Sequence, residues 1–143
     1  MTFVVESEKE LGAKVYEKIG NSLRGGFKCA LCGDLGAGKT TMVRKIAQIM
    51  GSNDSVSSPT FTLRKEYKLP RKVNGAEIIQ HIDLYRFEKP TKYDLEQVLE
   101  WLDDSRAITF VEWPDKIPEI IGCFDTSILL EVEDVYKRKV TIK

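Results

Sequence analysis

Apolar residues along the first fifty positions fall into short runs and spaced stripes. Phe3-Val4-Val5 reads as a brief strand. Leu11, Val15, Ile19 and Leu23 recur every fourth residue, the spacing of a helix with one apolar face. Ser7-Glu8-Lys9-Glu10 precedes them as an S-x-x-E capping box, and Gly25-Gly26 ends them. Cys29-Ala30-Leu31-Cys32 is a continuous apolar run, the pattern of a buried strand. Val43, Ile46, Ala47 and Met50 share one face of a helix over 41–50, which Gly51 stops.

From residue 52 the pattern changes. Ser52 to Pro59 is a polar loop, and Thr60 to Tyr67 alternates like a half-exposed strand. Glu77 to Asp83 and Arg106 to Glu112 are apolar runs that each end in an acid, the second being the more continuous. Between them Leu95, Val98, Leu99 and Leu102 predict a helix, with Thr91 as its N-cap and Asp94 in its first turn. Trp113-Pro114 closes the second acid-ending strand. Ser127–Val132 and Tyr136–Ile142 are two terminal strands, and the short Glu133-Asp134-Val135 link predicts that they pair antiparallel.

Composition narrows the class. The chain has 143 residues, which predicts one domain over 1–143. Lys+Arg 22 balances Asp+Glu 22, so no global field favours nucleic acid or an acidic membrane. No apolar run approaches a membrane span, and the first residues lack the basic and apolar regions of a signal peptide. The expectation is a cytoplasmic protein with no membrane partner. Three cysteines argue against a disulfide framework. Cys29 and Cys32 stand three apart in a strand and so point to opposite faces, which suits core packing and not joint metal binding.

The chemistry centres on Gly33-Asp34-Leu35-Gly36-Ala37-Gly38-Lys39-Thr40, which matches G-x-x-x-x-G-K-[ST] between a strand and a helix. Its glycines let consecutive backbone N–H groups approach an anion, and the helix that follows aims its positive end at the same point. Lys39 can reach β/γ-phosphates and the Thr40 hydroxyl can bind Mg²⁺. The motif predicts a P-loop NTPase-like α/β fold: a mixed, mainly parallel central sheet flanked by helices, with antiparallel C-terminal strands. Such a site needs a carboxylate at a neighbouring strand end. Asp83 and Glu112 both fit, and pattern favours Glu112. After the P-loop helix, Thr60 is the candidate switch hydroxyl, with Ser57 and Ser58 as alternatives.

Other features read blandly. His81 is the only histidine and sits inside an apolar strand, which suits a hydrogen-bonded core imidazole better than a catalytic base. Thr91-Lys92-Tyr93-Asp94 resembles a guanine-reading T-K-x-D, but it opens a helix, so GTP specificity is disfavoured. Arg64, Lys65, Lys68, Arg71 and Lys72 form a basic cluster that reads as a solvated hairpin face, with a partner or RNA contact as the alternative.

Four blocks together resemble one family: Gly33 to Thr41, Ser57-Ser58-Pro59-Thr60-Phe61-Thr62-Leu63, His81-Ile82-Asp83-Leu84-Tyr85-Arg86, and Val111-Glu112-Trp113-Pro114-Asp115. Their order and spacing are similar to TsaE (also called YjeE), the bacterial ATPase of tRNA threonylcarbamoyladenosine biosynthesis. The resemblance implies that Gly33, Gly36, Ala37, Gly38, Lys39, Thr40 and Thr41 hold ATP. It makes Thr40 and Glu112 the Mg²⁺ ligands, with Asp83 assisting the metal or the attacking water. Thr60 becomes a switch-like contact and Trp113 lies near the nucleotide. The Ser7–Glu8 region and the Lys137–Arg138 segment border it. The catalytic set is then Lys39, Asp83 and Glu112. The resemblance also implies TsaD and TsaB as partners, with tRNA reached through that pair, which ATP binding and hydrolysis reset. No arginine finger is identified; Arg64 and Arg86 are candidates. Two other readings stay open, a nucleotide-gated binding module and a small-molecule kinase.

Overall fold

The computed structural model describes residues 1–53 and 63–143. Seven strands form one sheet: β1 (Thr2–Val5), β2 (Lys28–Cys32), β3 (Arg64–Val73), β4 (Ala76–Asp83), β5 (Ala107–Glu112), β6 (Thr126–Val132) and β7 (Arg138–Ile142). Helices α1 (Glu8–Ile19) and α2 (Lys39–Ile49) lie between β1, β2 and β3, and α3 (Lys92–Leu102) lies between β4 and β5. Strand order is β1-β7-β6-β2-β5-β4-β3. The central four, β6, β2, β5 and β4, run parallel. The β6–β7 pair is antiparallel, as the short link predicts, and so are β1–β7 and β3–β4 at the two edges.

Strand periodicity divides the core into two faces. Cys29, Leu31, Ile79, Ile108 and Phe110 belong to the larger apolar cluster, which includes Leu11, Val15 and Ile19 of α1 and Met42, Val43, Ile46 and Ala47 of α2. Ile82 and Val111 belong to the smaller cluster, with Val98 and Leu102 of α3. The two helices of the larger face touch closely. A Cβ on Gly12 would stand 2.3 Å from Lys45 Cβ, so only glycine permits this approach. Thr91 caps α3 in a complete capping box with Asp94, worth about 1 kcal/mol.

Several local expectations differ from the fold. The Ser7 box does not form: the Ser7 side chain caps nothing, and the Glu10 carboxylate accepts from the Glu6 N–H at 3.3 Å. Helix α1 stops at Ile19 and a 3-10 turn, Gly20–Ser22, carries the buried Leu23. Helix α2 begins at Lys39, inside the P-loop motif, and β7 begins at Arg138. Strand β3 reaches Val73, past Pro70, because it is an edge strand and can forgo an N–H. Asn74 and Gly75 close its hairpin with φ of 47° and 85°, the two-residue turn that left-handed backbone favours. Cys29 is core, but Cys32 is half-buried.

Candidate functional site

The site gathers where the carboxyl ends of β2, β4 and β5 meet the start of α2. Gly33 leaves β2 with φ of +142°, and a Cβ there would lie 2.5 Å from the Leu130 carbonyl. Glycine is therefore required both for conformation and for room. Gly36 and Gly38 also have positive φ, so the chain curls before α2 starts. The unpaired N–H groups of the α2 N-terminus face this curl, which gives it a positive field.

Side chains then converge in a fixed arrangement. Thr40 Oγ1 donates to Glu112 Oε2 at 2.9 Å. Lys39 Nζ donates to the carbonyl oxygens of Gly33 and, at 3.0 Å, Asp34. The same ammonium stands 4.4 Å from the centre of the Trp113 ring. That indole packs on Tyr85, ring centres 5.1 Å apart. Trp113 has φ of 57°, a left-handed conformation that costs a non-glycine residue about 1–2 kcal/mol. Strain of this kind collects at functional sites. Asp83 pairs with Glu112 in the β4–β5 register, so the two acids leave adjacent strand ends on one face. Asp83 Oδ1 accepts from the Tyr85 N–H at 3.0 Å.

Burial sets the electrostatics. It lowers the Lys39 ammonium below its ordinary value, while the charges of Glu112, Asp83 and Asp34 push it back up. It raises the Asp83 carboxyl above its ordinary value; the Tyr85 N–H opposes this and Glu112 adds to it. Buried cations and acids held this way mark candidate functional sites.

A cavity of about 280 Å³ opens here, lined by Gly36, Ala37, Gly38, Lys39, Thr40, Thr41, Asp83, Glu112 and Trp113, with Glu8, Leu35 and Tyr85. The structure thus brings together the sequence-predicted residues except two. Gly33 contributes through its carbonyl under Lys39. Thr60, with Ser57 and Ser58, lies outside the described residues. Among the described residues, no three His, Cys, Asp or Glu side chains form an all-protein metal site. The donors present are one hydroxyl and one or two carboxylates beside an anion cradle. That set suits Mg²⁺, which binds through few carboxylates together with phosphates.

One contributor, His81, was not foreseen, and Arg138, expected to border the nucleotide, enters by holding the P-loop backbone. His81 is fully buried and its Nε2 contacts Glu112 Oε2. The expectation of a hydrogen-bonded core imidazole holds, but its partner is a site acid. The signal available was spacing, since His81 and Asp83 are two apart and share a strand face. Arg138, only 5% exposed, donates from Nε to the Ala37 carbonyl at 2.9 Å. Its Nη1 donates to the carbonyls of Asp134, Val135 and Lys137. It holds the P-loop backbone from a strand 101 residues away, and no local pattern announces that. Arg64, a finger candidate, is instead bound to Gln80 and Glu66 and lies 5.8 Å from the Trp101 ring, among residues of α3 and the opposite sheet face.

Comparisons agree with this geometry. A family model described as threonylcarbamoyl adenosine biosynthesis protein TsaE matches residues 5–140. The chain is 34% identical over 141 residues to the tRNA threonylcarbamoyladenosine biosynthesis protein TsaE of Aquifex aeolicus, covering 97% of this chain and 92% of that one. It is 32% identical over 120 residues to the protein of the same name from Nostoc sp., covering 82% and 71%. A crystal structure of Bacillus subtilis YdiB matches with a TM-score of 0.71 and 25% identity, over 99% of this chain and 83% of that one.

Proposed function

Since the chain belongs to the TsaE family, P-loop proteins of tRNA threonylcarbamoyladenosine biosynthesis, we propose that it binds ATP with Mg²⁺ and hydrolyses it slowly, in the cytoplasm, to reset a TsaB–TsaD pair between turnovers. The observation that carries this reading is the Thr40–Glu112 hydrogen bond beside Lys39 in the P-loop cavity. The whole chain acts as one P-loop domain.

Backbone N–H groups of residues 36–41 receive the phosphates, helped by the α2 field. Lys39 gives up the carbonyls of Gly33 and Asp34 for β/γ-phosphate oxygens. Because burial already disfavours its lone charge, a phosphate partner is gained at little loss. Thr40 and Glu112 would hold the cation. Bound Mg²⁺ would neutralise charge that develops on the phosphate oxygens. Asp83, in the same cavity, would orient the attacking water or assist the cation. Trp113 and Tyr85 shield the phosphate end from bulk water.

Lys39 is the only cationic side chain among the described residues that line the cavity. A P-loop site without an arginine in the charge clamp is slow, and a partner that supplies the missing charge speeds it. The test is ATP turnover alone and with TsaB–TsaD added, in wild type and Glu112→Gln. Turnover should be low alone and rise with the pair. Glu112→Gln should lose Mg²⁺-dependent turnover by about 100-fold while Mg²⁺-free nucleotide binding stays unchanged. Turnover indifferent to the pair, or equal in the mutant, overturns the reading. The single cation also suits a nucleotide-gated binding module. Full partner cycling with a non-hydrolysable analogue would establish that alternative, and phosphoryl transfer to an added acceptor would establish a kinase.

A further inference from the structure

We propose that His81 is the positioning residue that keeps Glu112 aimed at the cation site after nucleotide arrives. The inference rests on the reading of Glu112 as the cation's carboxylate.

The geometry carries it. His81 faces Phe110 and Asp83 faces Glu112 in the β4–β5 register, so all four side chains share the α2 face. His81 is 0% exposed, and Glu112 is 4% exposed. The imidazole Nε2 contacts Glu112 Oε2. Nδ1 is buried without a hydrogen-bond partner among the described residues. A carboxylate only accepts, so Nε2 carries the proton and donates. Among the described residues the one hydrogen-bond partner of this buried imidazole is thus a site acid.

Glu112 Oε2 takes two donors, Thr40 Oγ1 at 2.9 Å and His81 Nε2. Neither acts on Oε1. The two donors differ in what happens to them when cation binds. Thr40 is itself a candidate cation ligand, so its oxygen would be shared between the cation and the carboxylate. His81 lies on β4, one strand in from the β3 edge, is fully buried, and stays. Glu112 is the last residue of β5, paired with Leu31 and Asp83, with Trp113 in a left-handed turn beyond it. Among the described residues His81 is then the one donor to Glu112 that is not itself a candidate cation ligand. Partners that orient a metal ligand commonly set affinity by about 10–100-fold.

The experiment measures binding of ADP to the purified full chain by calorimetry, with and without Mg²⁺. The readout is the ratio of the two dissociation constants, which a purely structural role would leave in place. The bound signal of Mn²⁺ substituted for Mg²⁺, read by electron paramagnetic resonance, gives a second measure of cation occupancy. His81→Leu removes the donor and should reduce the Mg²⁺ enhancement by about tenfold, with Mg²⁺-free binding unchanged. His81→Gln places an amide N–H near the Nε2 position and should restore most of it. His81→Asn, whose shorter amide mimics Nδ1, should not. The Gln and Asn pair keeps the test decisive if His81→Leu does not fold. Equal enhancement in Gln and Asn variants, or an equal loss with and without Mg²⁺, overturns the proposal. Glu112→Gln is measured alongside. If it keeps the full enhancement, the reading of Glu112 falls and takes this proposal with it. If it abolishes the enhancement while the His81 variants retain it, the His81 proposal alone falls.

Discussion

Gln80 and His81 are neighbours on β4 and face opposite sides of the sheet, and both are 0% exposed. Gln80 belongs to the α3 side. Its Nε2 donates to the Trp101 carbonyl and to Thr109 Oγ1, each at 2.9 Å, and its Oε1 accepts from Arg64 Nε. Its hydrogen-bonding groups are occupied. His81 belongs to the α2 side, with one nitrogen on Glu112 and the other idle. Around it stand Lys39 and Asp83, whose ordinary proton affinities burial disturbs in opposite directions. A satisfied hydrogen-bond network ties strands to a helix. A cluster of buried charges held without full satisfaction is poised for a ligand. One strand carries both kinds of buried polarity because its period is two.

The sharpest way to break this comparison is to mutate each side and read both binding and stability. Lys39→Met should weaken nucleotide binding by about 100-fold, since it removes a charge-assisted phosphate contact. Its thermal midpoint should hold or rise, because a desolvated charge is removed from the fold. A large fall in midpoint would show that Lys39 supports the fold and not the ligand. Gln80→Leu should do the reverse. It strands the Thr109 hydroxyl, the Trp101 carbonyl and Arg64, at a loss of about 2 kcal/mol in denaturant unfolding. Nucleotide affinity should stay at the wild-type value; a matching fall in affinity would join the two faces into one unit.

Arg138→Met tests the link between the β6–β7 turn and the P-loop. Deprived of its donor, the buried Ala37 carbonyl loses a charge-assisted hydrogen bond, and stability should fall by about 1.5 kcal/mol. The P-loop is also less ordered, so nucleotide affinity should fall by several-fold even without Mg²⁺. Unchanged affinity would mean that the P-loop holds its shape alone.

The smallest effect lies on the surface. The Arg106 side chain hydrogen-bonds Asp104, with Nη2 at 2.9 Å, and holds its carboxyl below the ordinary value of 3.8. A depressed folded pKa stabilises the fold above the unfolded pKa and loses that contribution as pH falls through the folded one. Acid titration of stability should therefore show a component below pH 3.8 that vanishes in Asp104→Asn. Solvent screening holds it under about 1 kcal/mol. A component that persists in the mutant would belong to another acid.

The chain's local patterns determined a great deal. Glycine spacing and the strand before it placed the phosphate cradle, because a P-loop is a local backbone device whose residues are consecutive. Apolar runs placed β2, β4 and β5, and the acids that end two of them marked Asp83 and Glu112. Thr91 and Asp94 announced the cap of α3. Where a local signal competed with packing, packing won: Ser7 leaves its box unmade and β3 runs through Pro70 on an open edge. Only the tertiary structure decided that Glu112 meets Thr40, that His81 stands behind Glu112, and that Arg138 holds Ala37. These contacts join residues 31 to 101 positions apart. They depend on strand order and register, which sequence periodicity leaves open, since a period of two says which side of a strand a residue faces and not which strand lies beside it.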